Sequence, residues 1–144
     1  MGHRLIAHGL INLSGNYLVI KRSKIKRGIM NVYPEFWDIP GGRVESNELP
    51  RAAVVREVKE ETNLVVRVKK IIYEDSQFDK GRDLVFTRLV YECKVVQENA
   101  VNILLDPEEH TDFYFLSSLG ELTEKEKVVP YLKELIPNKG RMMV

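Results

Sequence analysis

The chain has 144 residues, room for one domain with a buried core, and its 44% hydrophobic and 30% charged residues are ordinary for a globular protein. A net charge of +1 gives no overall drive toward nucleic acid or an anionic membrane, and no apolar run is long enough to cross a bilayer. Met1-Gly2-His3-Arg4 lacks the apolar stretch of a signal peptide, and a lone Cys93 excludes an internal disulfide and a cysteine-based zinc site, which together predict a cytoplasmic protein.

Residues 5–12 and 17–22 read as two strands around the turn Leu13-Ser14-Gly15-Asn16. Lys21 to Arg27 holds five basic residues in seven, either a solvated loop or a lip that attracts phosphates. A long loop, 23–34, leads to the short extended piece Phe36-Trp37-Asp38-Ile39-Pro40, and Gly41-Gly42 turns the chain. Residues 50–62 read as a helix with Pro50 in its first turn. Two strands follow at 64–73 and 84–96, then a short one at 112–116 and a C-terminal helix over 127–136 with Pro130 in its first turn. The order predicts an α/β (α+β) domain with a mixed sheet between helical layers, spanning 1–137, and a flexible tail over 138–144.

The helix over 50–62 carries the chemistry. At about 100° per residue, Glu57, Glu60 and Glu61 at i, i+3 and i+4 fall on one face. Ala52, Val54, Val55 and Val58 take roughly the opposite side and are expected to pack on the sheet. Carboxylates crowded at a helix C-terminus repel one another and oppose the macrodipole, each effect costing a few tenths of a kcal/mol. Lys59 and Arg56 offset part of this; a hard divalent cation would offset far more. A solvated Glu-rich helix is the plainer alternative on these three residues alone.

The spacing upstream decides between them. Gly42, five residues, Glu48, seven residues, then Arg56-Glu57-Val58-Lys59-Glu60-Glu61 and Leu64 resembles the Nudix box, Gx5Ex7REUxEExGU, with Val58 and Leu64 at the aliphatic positions. Asn63 stands where the box has Gly; its expected job is to end the helix in a left-handed conformation, which Asn tolerates best after Gly. The resemblance covers the chain in outline and is specific from Trp37 to Leu64. It implies the Nudix-type α/β/α sandwich and one to three Mg²⁺ (or Mn²⁺) ions bridging a diphosphate. Glu57 and Glu61 would be the main metal ligands, Glu60 a ligand or base, Glu48 a neighbour of the site and the Gly42 carbonyl a further ligand. Arg56 would orient these carboxylates.

By the same resemblance Arg22 would face the substrate phosphates, and Asp38 and Trp37 would border the nucleobase pocket, although Trp37 reads equally as a core residue. A further catalytic carboxylate outside the box has Glu92, Glu98, Asp106, Glu108 and Glu109 as candidates. His8 is read as structural, and His110 as a loop residue with no metal-ligand spacing. The expected partner is a small nucleotide, with no nucleic acid and no membrane, and a homodimer is the default expectation from the family. The leading function is hydrolysis of a nucleoside triphosphate, oxidised or noncanonical ones included, to the monophosphate and pyrophosphate. Nucleotide sugars, dinucleoside polyphosphates and a non-catalytic nucleotide-sensing module are the alternatives.

Overall fold

The computed structural model describes residues 2–139. β1 (Gly2–Leu13) and β2 (Asn16–Arg22) form a hairpin whose register pairs Asn12 with Tyr17 and Leu13 with Asn16. Its two central residues, Ser14 and Gly15, both have positive φ, 53° and 87°, the twist a two-residue hairpin requires. The Asn12 carboxamide oxygen accepts the Gly15 N–H at 2.9 Å and holds the turn closed. A second, smaller hairpin, β3 (Ile25–Lys26) and β4 (Ile29–Met30), occupies the segment expected to be loop; Arg27 and Gly28 supply its positive φ values.

β5 (Trp37–Asp38) pairs with β2, and β6 (Gly41–Arg43) pairs antiparallel with β1 through Ile6–Arg43, Ala7–Gly42 and His8–Gly41. Gly41-Gly42 is therefore strand, not a turn. After α1 (Pro50–Thr62), β7 (Val66–Asp79) and β8 (Leu84–Val95) make a long antiparallel hairpin. β8 runs parallel to β1 from Gly2–Leu84 to Ile11–Cys93, and β9 (His110–Leu116) adds to β2. The result is one mixed sheet in the order β5-β2-β1-β8-β7, with β6 also on β1 and β9 also on β2.

Strand alternation splits the side chains into two cores. Ala7 and Ile11 of β1 and Cys93 and Val95 of β8 meet Ala53, Val54 and Val58 of the helix on one face. Leu10, Val19 and Val90 meet Trp37, Leu116 and the C-terminal segment on the other. The helix is turned from the expected orientation: Ala52 and Val55 are exposed, and the buried stripe runs through Val54, Val58 and Glu61 with Ala53 and Thr62 beside it. A glutamate thus stands in the helix face that packs inward.

The expected C-terminal helix is a 3₁₀ turn, Pro130–Glu134. The reason is local. Trp37 donates its N–H to the Lys127 carbonyl (2.8 Å) and accepts the Val129 N–H (3.0 Å), so 127–129 are spent as extended chain beside β5. Only the residues from Pro130 to Pro137 remain, too few for an α-helix, and Tyr131, Leu132 and Ile136 are buried from this short turn. Among the described residues α1 is the single α-helix, and no helix is long and apolar enough to cross a membrane. Of the expected tail, 140–144 lie outside the described residues, while the Lys139 carbonyl accepts the Ser118 hydroxyl at 2.9 Å.

Candidate active site

Pro50 opens α1 and Asn63 closes it at φ 68°, its N–H bonded to the Lys59 carbonyl at 2.9 Å. The Asn63 side chain also accepts from Lys59 Nζ (2.9 Å) and donates to the Asn102 carbonyl (3.1 Å), contacts a glycine could not make. Between these ends the helix presents Arg56 and the box glutamates to the sheet edge formed by β6.

Arg56 organises that edge. Its Nε and Nη2 donate to the two Glu48 oxygens at 2.8 and 2.9 Å, a bidentate pair. Nη1 donates to Glu57 at 2.9 Å and to Glu60 at 3.3 Å, and Nη2 also reaches the Arg43 carbonyl at 3.1 Å. The guanidinium holds the Glu48 carboxyl below its usual range, and Glu48 in return raises the arginine further. Glu57 lies against Gly42: a Cβ at that position would stand 2.7 Å from the Glu57 carboxyl carbon. Gly42 is required there for close approach of backbone to carboxylate.

The three helix glutamates, expected on one face, divide among three environments. The Glu60 side chain is 59% exposed and points outward to Arg56, whereas Glu57 is half-covered and Glu61 is only 6% exposed. Burial pushes the Glu61 carboxyl well above the ordinary carboxylate range, and the neighbouring Glu57, then Glu109 and Asp38, push it further. The group facing it is His110, with Nε2 3.7 Å from Glu61 Oε1. His110 opens β9 and is buried, which lowers its pKa to about 4 and leaves the ring neutral near pH 7. His110 was read as a loop residue; only the pairing of Arg22 with His110 in the β2–β9 ladder brings it to Glu61, and no local pattern announces that.

Among the described residues no three His, Cys, Asp or Glu side chains already stand as a metal-binding group. Arg56 accounts for this by holding Glu48, Glu57 and Glu60 in its own fork. The donor set nevertheless fits a hard divalent cation. Glu61 is a buried carboxylate beside a second carboxylate, with a neutral ring as its facing partner, and carboxylate oxygens are what such ions prefer.

Beyond β6 opens a cavity of about 570 Å³, floored by the sheet face opposite α1 and walled by Tyr131 and the β3–β4 segment. Arg22, Asp38 and Gly42 line it. Successive residues on β5 point to opposite faces, so Asp38 meets the cavity wall while Trp37 is buried in the second core and does not line the cavity. Arg22 is committed to structure: it donates to the Val32 carbonyl (2.7 Å), Asn31 (3.1 Å) and Asp38 (3.2 Å). Asp38 accepts in addition from the Tyr131 hydroxyl, in a short bond, and from the Ile39 N–H at 2.7 Å. His8, kept neutral by burial, completes this cluster against Ile39 and Tyr131. Tyr131 was not singled out from sequence, because its place depends on the course of the C-terminal segment.

The basic run is partly neutralised: Lys21 pairs with Glu126 at 3.3 Å, and Lys26 with Glu109 at 3.0 Å, though Lys26 still lines the cavity. Among the five outside carboxylates, Glu109 is the one that acts electrostatically on Glu61. Glu92 and Glu98 line a different cavity at the far end of β1.

The NUDIX domain model matches residues 3–139. A diphosphoinositol polyphosphate phosphohydrolase of Homo sapiens is 38% identical over 73 residues, 49% of this chain and 40% of that protein. The chain thus spans about two fifths of the length of the diphosphoinositol relatives it matches. An ADP-ribose pyrophosphatase of Methanocaldococcus jannaschii is 30% identical over 122 residues, 84% of this chain and 68% of the relative. The crystal structure of a MutT protein from Methanosarcina mazei superposes with a TM-score of 0.72 at 24% identity, covering 92% of this chain and 89% of that one, a likeness of fold.

Proposed function

The chain belongs to the Nudix family, and on that premise we propose that it hydrolyses a diphosphate bond in a small nucleotide, with a nucleoside triphosphate split to the monophosphate and pyrophosphate as the leading substrate class. The observation that carries the reading is Glu61, a carboxylate buried in the packing face of a helix beside Glu57 and opposite a neutral His110. Such a charge is costly without a cation.

Glu57 and Glu61 would hold Mg²⁺ or Mn²⁺, with the Gly42 carbonyl and Glu48 beside them. When bound, the ion supplies charge neutralisation of the diphosphate and acidification of an attacking water. The protein's own contribution is positioning. Arg56 ties Glu48 and Glu57 into one rigid unit and fixes where the Glu57 oxygens lie relative to Gly42. Glu60 serves as the base candidate, since its exposed carboxylate is held by one 3.3 Å contact and is free to swing toward a bound water. The cavity beside Gly42 receives the rest of the substrate. Cys93, a lone buried thiol, suits a reducing, cytoplasmic setting.

A second reading, a nucleoside diphosphate linked to a sugar, is supported by the similarity to an ADP-ribose pyrophosphatase over most of the chain. One assay addresses both: phosphate and pyrophosphate release from nucleoside triphosphates, nucleotide sugars and dinucleoside polyphosphates, with Mg²⁺ and with EDTA. Metal-dependent release from one class is expected. Metal-dependent nucleotide binding without turnover of any would replace the hydrolase with a sensor.

A further inference from the structure

The strand register writes a row of arginines into the cavity floor. Arg43 of β6 stands opposite Ile6 of β1, and Ile6 in turn lies beside Arg88 of β8, so three adjacent strands carry Arg43, Ile6 and Arg88 in line. Arg4 follows on the same face of β1, one pleat repeat farther from Glu61. Strand spacing puts Arg43 and Arg88 about 10 Å apart at the backbone, and Arg4 about 7 Å along, distances that long guanidinium side chains close readily.

These arginines are unevenly satisfied. Among the described residues, the side chains of Arg4 and Arg43 make no hydrogen bond or ion pair. Arg88 gives one nitrogen to Asp75 (3.3 Å), while its Nε is buried without a partner. The aromatic faces of the same cavity are already covered: the Arg88 guanidinium lies 4.2 Å from the Tyr131 ring centre and that of Arg82 5.2 Å from Phe86. The floor therefore offers charged forks where a stacked base would need an open ring. Arg43 also adjoins the candidate metal edge directly, since its carbonyl is held by Arg56 and the preceding residue, Gly42, touches Glu57. A chain of phosphates leaving that edge passes onto the arginines.

We propose that Arg4, Arg43 and Arg88 form a phosphate-reading subsite, so that the substrate carries at least one further phosphate beyond the diphosphate that is cut. This rests on the hydrolase reading above and sharpens it. Planar guanidinium forks match phosphate oxygens in pairs, and each such bond is charge-assisted. The subsite favours an anion-ended polyphosphate over a diphosphate that ends in a neutral sugar. The extra phosphate has two sources, the terminal phosphate of a nucleoside triphosphate or a ring phosphate of a multiply phosphorylated alcohol.

The test is binding, by calorimetry in EDTA where turnover is silent, of inorganic tripolyphosphate, inositol hexakisphosphate, a nucleoside triphosphate and a nucleotide sugar to the wild type and to Arg4→Gln/Arg43→Gln. The double variant should bind the anion-ended probes at least about tenfold more weakly and the nucleotide sugar unchanged. Arg4→Lys/Arg43→Lys should recover part of the loss, which a merely unfolded variant would not. The wild-type preference between the triphosphate and the inositol probe identifies the source of the phosphate. Equal affinity of wild type and double variant for every probe, or equal weakening for all, overturns the subsite. Mg²⁺-dependent turnover of the wild type, measured on the same preparations, separately reports whether the hydrolase reading stands.

Discussion

Asp38 and Glu61 are carboxylates buried to nearly the same extent, 5 and 6% exposed, and the protein treats them in opposite ways. Asp38, on β5, is satisfied on every side: Arg22 supplies a cation, Tyr131 a hydroxyl and Ile39 a backbone N–H. Glu61, at the end of α1, faces a neutral histidine and borders another carboxylate. A buried charge with its partners built in serves the fold, tying β2, β5 and the C-terminal turn together. A buried charge facing like charge points to a partner that comes from outside the chain.

The largest effects should break this contrast. Replacing Glu61 or Glu57 with Gln is expected to lower Mg²⁺-dependent turnover at least about a hundredfold, measured as phosphate release. Glu61→Gln should at the same time raise the metal-free melting temperature. Its folded pKa lies above the unfolded value, so the ionised form is the unfavourable one above pH 4.5, and the amide removes that cost. Asp38→Ala should do the reverse, costing about 3 kcal/mol in denaturant unfolding because Arg22 and Tyr131 lose their shared acceptor.

His110 sharpens the comparison through pH. Its folded pKa, about 4, lies below the unfolded value of 6.5, so the unfolded chain binds the proton first. Stability from this group is complete above pH 6.5 and falls as pH drops toward 4, by about 3 kcal/mol at most. Unfolding curves of His110→Gln against wild type across that window should converge at low pH. Gly42→Ala is expected to lower turnover about tenfold with little change in melting temperature, since the added methyl meets only the flexible end of Glu57. The smallest effect belongs to Asn63→Gly: relief at φ 68° is offset by the lost bonds to Asn102 and Lys59, leaving stability within about 1 kcal/mol and turnover unchanged.

The helix was legible from end to end, because Pro50 and Asn63 punctuate it and the box spacing lies within it. Which way it faces was not. Apolar periodicity assigned Val55 to the core and Glu61 to solvent, and the structure exchanges them, since a functional carboxylate overrides the pattern that hydrophobic burial alone would write. The C-terminal helix failed for a different reason: Val128 and Val129 look like helix core but are used as extended chain against Trp37. The arginine floor was half legible. Alternation puts Arg4, Ile6 and His8 on one face of β1, but Arg43 and Arg88 join them only through register, which sequence spacing does not encode.

The most direct test of the contrast is Mn²⁺ binding to the wild type and to Glu61→Gln, followed by the ion's magnetic resonance signal together with the melting temperature. Saturable binding that raises the wild-type melting temperature, and loss of both in the variant, is the expected result. Equal binding and equal stabilisation in the two proteins would contradict the assignment of Glu61 as a carboxylate built for a cation.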